Sequence, residues 1–250
     1  MDVKPLMDPE VRNFLDQITS HIRSRLKMIV VLFLLGLMLG IPLAYRLTEW
    51  LLNAGLIPDD VNIIVLTPVE FIMLQVRVGA WVGVGLAVFC LIIDGAWKSG
   101  LTSKSPKPGR LVILTAIFSI ILAIAGLLYS WYLLTPMLLE YLASDAQSAG
   151  LSTEWRLSSF IGFIVSLCLV CIIGFQAPLV TLLTLKSGAV DRVTLLSYRK
   201  HIWFVTFVLG AAFSPPDPLS LFLVSIPIIL LFEAAIIWDS ITGGSTDVNS

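Results

Sequence analysis

Long apolar stretches separated by short polar segments dominate the chain. Each stretch is near or below the ~20 residues that a helix needs to span hydrocarbon, and the stretches cover residues 28–44, 78–97, 111–134, 160–185, 202–213 and 219–238. The pattern predicts an all-α integral membrane protein with six transmembrane helices. The fifth should be short, because 202–213 would extend only about 18 Å, and the sixth should be short because Glu233 interrupts its apolar run.

Basic residues alternate from one side of these stretches to the other. Thirteen of the sixteen lysines and arginines lie before the first stretch, between the second and third, or between the fourth and fifth. The opposite segments carry only Arg46, Arg77 and Arg156. Because cytoplasmic loops carry the excess of lysine and arginine, both termini should be cytoplasmic.

Composition favours one membrane domain over the whole chain. The sequence is 57% hydrophobic and 13% charged, against about 25% charged residues in soluble domains, and the connecting segments are too short to bury cores of their own. We expect a cytoplasmic amphipathic lead-in at 1–27, a membrane region at 28–238 and a cytoplasmic tail at 239–250. No basic patch for nucleic acid is evident.

Residues for enzyme chemistry are scarce. The two histidines, His21 and His201, both fall in basic segments, and the sequence contains neither a zinc-protease motif nor a nucleotide-binding loop. Cys90, Cys168 and Cys171 lie inside apolar stretches, where cysteine behaves as a small hydrophobe. We expect no catalytic residue, no metal and no cofactor.

Three polar side chains fall at or near membrane depth, where a charge costs roughly 2.5–3.5 kcal/mol. Asp94 is either interfacial or functional, because Trp97 and Lys98 follow within a turn. Glu233 has the same two interpretations but lies deeper. Gln176 is the most central, and its amide could bond to a neighbouring helix or to a peptide beside it.

Two proline-containing segments on the outer side predict rigid external caps. In the first, Pro68 suits the start of a short helix that leads into the second crossing, and Thr67 or a neighbour can cap it. The second would fix the last hairpin or would simply be a tight turn. The candidate cap residues are Thr67, Pro68, Glu70, Phe71, Ser214, Pro215, Pro216, Asp217 and Pro218.

These segments resemble the TatC family, the multi-spanning receptor subunit of the twin-arginine protein translocase. The strongest match is Tyr198-Arg199-Lys200 followed by Gly210, Phe213-Ser214-Pro215-Pro216-Asp217-Pro218-Leu219-Ser220, Pro227 and Phe232-Glu233. Thr67-Pro68-Val69-Glu70-Phe71 with Arg77 is similar to the family's TPxExF…K segment, and Phe175-Gln176-Ala177-Pro178 is similar to its F-E-x-P.

The resemblance implies a receptor for folded precursor proteins that carry twin-arginine signal peptides. It further implies recruitment of TatA/TatB-type single-helix subunits into an oligomeric complex in the plasma membrane of a bacterium or archaeon. The proton-motive force would drive transport, and no catalysis is implied.

The sequence departs from the family at the cytoplasmic surface that contacts the signal peptide. Ser20 and His21 stand where the family has glutamates, the segment 98–110 contains no acid, and Gln176 replaces a glutamate. Carboxylates hold arginine best, so Glu10, Asp16 and Asp94, with His21, are the candidate contacts. Two alternatives stay open: a small-solute carrier, and a divergent scaffold that no longer binds twin arginines.

Overall fold

The computed structural model describes residues 16, 19–20, 23–55, 57, 61–98, 108–148, 150, 154–213 and 218–243. Of the candidate residues, Glu10, His21, Ser214, Pro215, Pro216 and Asp217 lie outside this part of the chain. So do most of the lead-in and most of the basic segment 98–110.

The described chain is almost entirely helical. The helices are α1 (Leu26–Asn53), α2 (Val69–Lys98), α3 (Pro108–Tyr129), α4 (Thr135–Ser148), α5 (Leu157–Gly174), α6 (Ala177–Ser187), α7 (Arg192–Ser197), α8 (Arg199–Phe213) and α9 (Pro218–Gly243). A π-helical turn, Ser130–Leu134, joins α3 to α4. Among these residues, five segments are long and apolar enough to cross a membrane: Leu26–Asn53, Val69–Trp97, Val112–Ser148, Leu157–Ser187 and Pro218–Thr242.

Within the described residues, strands interrupt the predicted all-α pattern at one place. Strand β1 (Asn62–Ile64) pairs in parallel with β2 (Glu154–Arg156), and Ile63 lies opposite Trp155. The purely helical prediction is wrong here because the loops that precede α2 and α5 satisfy their backbone groups by pairing with each other. The two strands hold these loops together at the predicted outer end.

The last two helices differ in length. Helix α8 has 15 residues, or about 22 Å, and is short as predicted. Helix α9 has 26 residues and continues through Glu233 to Gly243, so the prediction of a short sixth helix is wrong. Glu233 does not end the helix because α8 supplies partners for its carboxylate, which are described below.

Pro227 also lies inside α9 without ending it. A helical proline leaves the carbonyl four residues earlier without its usual donor, which here is the carbonyl of Leu223. The Tyr129 hydroxyl donates to that carbonyl at 2.9 Å. A neighbouring helix therefore satisfies the backbone group that the proline frees, as membrane helices require.

Helices α1 and α2 pack most closely, through two pairs of glycines. A Cβ atom built on Gly36 would collide with the backbone of Gly83, and one on Gly40 would collide with Gly79. Small residues four apart let membrane helices approach at backbone distance.

The core lies where α1, α2, α4 and α5 meet near the predicted outer end, and it includes Ala44, Leu74, Leu139, Phe160 and Ile161. Elsewhere, large apolar side chains remain exposed along the helices, including Met38, Tyr132, Phe204 and Leu230. Such extensive apolar exposure fits a protein whose solvent is lipid.

Candidate functional site

At the predicted inner end, Arg25 and Asp94 form a bidentate ion pair. The Arg25 guanidinium donates from Nε to Asp94 Oδ2 at 3.0 Å and from Nη2 to Oδ1 at 2.8 Å. The two side chains are 36% and 18% exposed. This is the bidentate geometry that makes arginine–carboxylate pairs strong and directional.

Both charges in this pair oppose the helix that carries them. Arg25 is the N-cap of α1, where the helix dipole disfavours a cation, and Asp94 lies near the C-terminus of α2, where it disfavours an anion. Each charge is therefore stabilised by the other. The pair also joins the start of α1 to the end of α2.

Asp16 is the other candidate carboxylate in the described part of the chain. It is exposed, and its backbone carbonyl accepts a hydrogen bond from the Thr19 hydroxyl at 3.1 Å. The structure thus places Asp94 in an ion pair and leaves Asp16 open to solvent.

Gln176 occupies the break between α5 and α6 and is 4% exposed. Its Oε1 accepts from the Ser119 hydroxyl at 2.7 Å, and its Nε2 donates to the Ser119 carbonyl at 3.1 Å and the Ile172 carbonyl at 3.3 Å. The amide therefore connects α3 to the broken fourth crossing. Of its two predicted roles, the geometry favours bonding to a neighbouring helix.

We expect Gln176→Leu and Ser119→Ala to be coupled in stability. A double-mutant cycle of unfolding in detergent should give a coupling free energy of about 0.6 kcal/mol, the average for hydrogen bonds between membrane helices, and at most about 1.7 kcal/mol. The Thr184 hydroxyl bonds within its own helix, to the Val180 carbonyl, so a cycle of Ser119→Ala with Thr184→Ala should show almost no coupling. Equal coupling in both cycles would contradict this role.

Glu233 forms a cluster with two side chains of α8. Its Oε1 pairs with Arg199 Nε at 2.6 Å and accepts from Trp203 Nε1 at 2.9 Å. The Arg199 guanidinium carbon also lies 5.0 Å from the centroid of the Trp203 ring, a cation–π distance. The cluster fixes the first turns of α8 against α9.

At the predicted outer end, Glu70 is 2% exposed and binds two separate segments. Its Oε2 accepts from the Leu66 amide at 3.0 Å, and its Oε1 accepts from the Ser158 amide at 2.9 Å. Arg156 Nε lies 3.1 Å from the same Oε1. The carboxylate thus caps the first turn of α5, where amide groups lack partners within the helix.

The other candidates for the external cap surround Glu70 or begin α9. The Thr67 carbonyl accepts from the Glu70 amide at 3.1 Å, and Pro68 directly precedes α2, which starts without a separate short helix in 61–68. Phe71 contacts Tyr45 edge to face, with ring centroids 6.3 Å apart. Pro218 is the first residue of α9, a position that proline favours.

Glu70→Ala should lower the thermal midpoint of the detergent-solubilised protein by several degrees, because two backbone amides lose their acceptor in a buried place. Glu140→Ala removes an exposed carboxylate of α4 and is the matched control, with little change expected. Similar midpoints for the two variants would show that Glu70 does not act as a cap.

An apolar cavity of about 560 Å³ opens between α2, the fourth crossing, α8 and α9. Val88 and Ile92 line it from α2, Ile173 and Gln176 from the fourth crossing, and Ile228 and Phe232 from α9. Tyr198 and His201 also contribute to its wall. A cavity of this size is within the ~300–1,000 Å³ range of sites that hold small or extended ligands.

Comparison with known proteins decides the family. The family described as Sec-independent protein translocase protein (TatC) matches residues 17–227. The chain belongs to the TatC family. This confirms the resemblance inferred from its motifs, and makes the chain a multi-pass membrane component of a protein translocase.

Individual relatives agree with this membership. TatCt of Haloferax volcanii is 29% identical over 83% of this chain, and the matched region is 30% of the length of that relative. TatC of Halalkalibacterium halodurans is 27% identical over 87% of this chain and 85% of its own length. A crystal structure of the twin arginine translocase receptor TatC superposes with a TM-score of 0.74 at 26% identity, covering 90% of this chain and 99% of that one.

Sequence reasoning missed several residues that position this TatC-family site. The glycines of the α1–α2 contact carry a recognisable signal, because Gly36 and Gly40, and Gly79 and Gly83, are each four residues apart. Ser119 and Ser158 carry none, since a single serine in an apolar stretch or at a helix start is common. Arg25 was counted only as a cytoplasmic charge.

Proposed function

We propose that this chain is the receptor that binds the twin-arginine signal peptides of folded precursors and recruits TatA/TatB-type single-helix subunits for export driven by the proton-motive force. It would act in the plasma membrane of a bacterium or archaeon, as one integral domain with six crossings and both termini in the cytoplasm. Membership of the TatC family supports the translocase role, and the inner-end geometry supports the receptor role.

The Arg25–Asp94 pair is the observation that carries the receptor proposal. Asp94 already accepts a guanidinium on both oxygens, in a partly exposed position. One arginine of a signal peptide could take the place of Arg25 with the same geometry. Asp16 is exposed and lies nine residues before Arg25 in the sequence. It is our candidate to bind the second arginine of the signal peptide, and Glu10 and His21 are further candidates.

The apolar cavity supports a place for the apolar part of a signal peptide. Val88 and Ile92 line the cavity from α2, the helix that also carries Asp94, and this apolar wall is our candidate surface for the apolar segment that follows the twin arginines. Burial of apolar surface at roughly 25 cal/mol per Å² would then add affinity that the arginines alone do not provide.

The short helix α8 supports a role in passage of cargo. At about 22 Å, it is shorter than the ~30 Å hydrocarbon core, and the bilayer can adapt by thinning at a cost of fractions of a kcal/mol per Å. The exposed apolar face of α8, which includes Phe204 and Val208, is the surface that we propose for a partner helix.

Copurification in mild detergent tests the receptor proposal. A precursor with a twin-arginine signal peptide should be retained by the folded receptor, and the same precursor with twin lysines should be lost, because lysine cannot form the bidentate contact. Retention of neither precursor by the correctly folded protein would contradict the proposal and favour a scaffold that no longer binds twin arginines.

A further inference from the structure

A second cleft lies at the outer end, between α2, α4 and α5, and has no part in the proposed signal-peptide site. Its volume is about 560 Å³. Its walls are mostly apolar and aromatic, with Leu139, Trp155, Phe160 and Phe163 among them. Arg77, Arg156 and Glu154 supply its charged groups, and Ser159 and Ser166 supply hydroxyls.

Arg77 differs from Arg156, the other arginine of this cleft, in its charged partners. Arg156 already pairs with Glu70 at 3.1 Å. By contrast, within the described residues no carboxylate lies within ion-pair distance of Arg77, which is exposed. Glu154 is an exposed carboxylate in the same lining, yet it forms no ion pair with Arg77.

The position of Arg77 along α2 corresponds to the outer surface of the membrane. The apolar residues 78–97 follow it and extend about 30 Å, which is the thickness of the hydrocarbon core. The guanidinium therefore lies at the level of the lipid headgroups, next to a wall of apolar side chains.

The absence of a side chain at Gly162 makes room for this guanidinium. A Cβ atom built on Gly162 would lie 2.7 Å from Arg77 Nη1 and 3.5 Å from Arg77 Cδ. The arginine therefore lies across the surface of α5, inside the cleft. Because the clashing atoms belong to the end of a flexible side chain, an added methyl group would displace Arg77 and leave the backbone in place.

We propose that this cleft binds a membrane phospholipid, with the phosphodiester held by Arg77 and the acyl chain packed against Trp155 and Phe163, which are both partly exposed. A guanidinium can bind two phosphate oxygens at once, and the aromatic wall supplies the apolar half of the ligand's site. A molecule that combines an anionic phosphate with an apolar chain, at headgroup depth, is a phospholipid. This inference does not depend on the proposed signal-peptide site.

Native mass spectrometry of the detergent-solubilised protein, titrated with phosphatidylglycerol, tests the proposal. Arg77→Gln should raise the dissociation constant of the tightest lipid about tenfold or more, the loss expected for charge-assisted hydrogen bonds. Gly162→Ala should weaken binding in the same direction while the thermal midpoint stays close to that of the wild type. Arg46→Gln, which removes an exposed arginine of α1, should leave binding unchanged.

Four outcomes would overturn the proposal. Unchanged lipid binding by Arg77→Gln would exclude Arg77 as the phosphate contact. An equal loss with Arg46→Gln would indicate non-specific lipid around the helices. Displacement of the lipid by millimolar inorganic phosphate would indicate that the cleft binds a free anion. If an apolar peptide with a carboxylate bound the cleft and a phospholipid did not displace it, the site would belong to a partner helix.

Discussion

Gly36→Ala should destabilise the protein more than a glycine-to-alanine substitution at any other position of the α1–α2 contact. The new methyl would meet the backbone of Gly83, which cannot move aside as a side chain would, so the helices must separate. Overpacking of a close contact costs about 1–3 kcal/mol, and occasionally more. The measurement is the thermal midpoint in detergent, followed by tryptophan fluorescence, together with the amount of folded protein recovered from membranes.

Gly95→Ala is the matched control for this prediction. Gly95 lies in α2 like Gly83, but a Cβ atom there meets nothing within 4 Å. Alanine should leave the midpoint unchanged or raise it slightly, because alanine favours the helix over glycine by roughly 0.8–1.0 kcal/mol. Equal midpoints for Gly36→Ala and Gly95→Ala would show that the backbone contact does not govern stability.

Asp94→Asn should weaken binding of a twin-arginine signal peptide. The change removes the acceptor for a guanidinium and leaves Arg25 as an unpaired cation that repels the incoming arginines. Since charge-assisted hydrogen bonds contribute about 1.5–3 kcal/mol, the affinities of Arg25→Gln and Asp94→Asn should differ by at least about tenfold. Fluorescence titration with a labelled signal peptide measures both.

Asp191→Asn controls for the loss of one negative charge on the predicted cytoplasmic side. Asp191 is exposed and precedes α7, without a side-chain bond that caps the helix. Its removal should leave peptide affinity unchanged. An equal loss with Asp191→Asn and Asp94→Asn would mean that overall charge, and not the contact geometry, determines binding.

The sequence predicted those features of the fold that depend on local composition. Apolar stretches of sufficient length became helices, and the short fifth crossing followed from counting the apolar residues from Ile202 to Phe213. The break at Gln176 was not predicted, although Pro178, which cannot donate a helical hydrogen bond, lies beside it. Such signals lie within a few residues of the feature that they predict.

Features that depend on distant partners were not predictable in this way. The prediction of a short sixth helix was wrong because Glu233 obtains its partners, Arg199 and Trp203, from another helix. The partner of Asp94 lies 69 residues away, so a residue pattern alone could not distinguish a free interfacial carboxylate from a paired one. The strands β1 and β2 likewise pair across 92 positions, as Asn62 and Glu154 show.

The most direct test of the account is the affinity of a twin-arginine signal peptide for Arg25→Gln compared with the wild type. If Arg25 occupies the carboxylate that the signal peptide uses, its removal should tighten binding of the twin-arginine peptide and leave a twin-lysine peptide weakly bound. Unchanged or weaker binding of the twin-arginine peptide, by a variant with the wild-type thermal midpoint, would show that Asp94 is not the arginine acceptor.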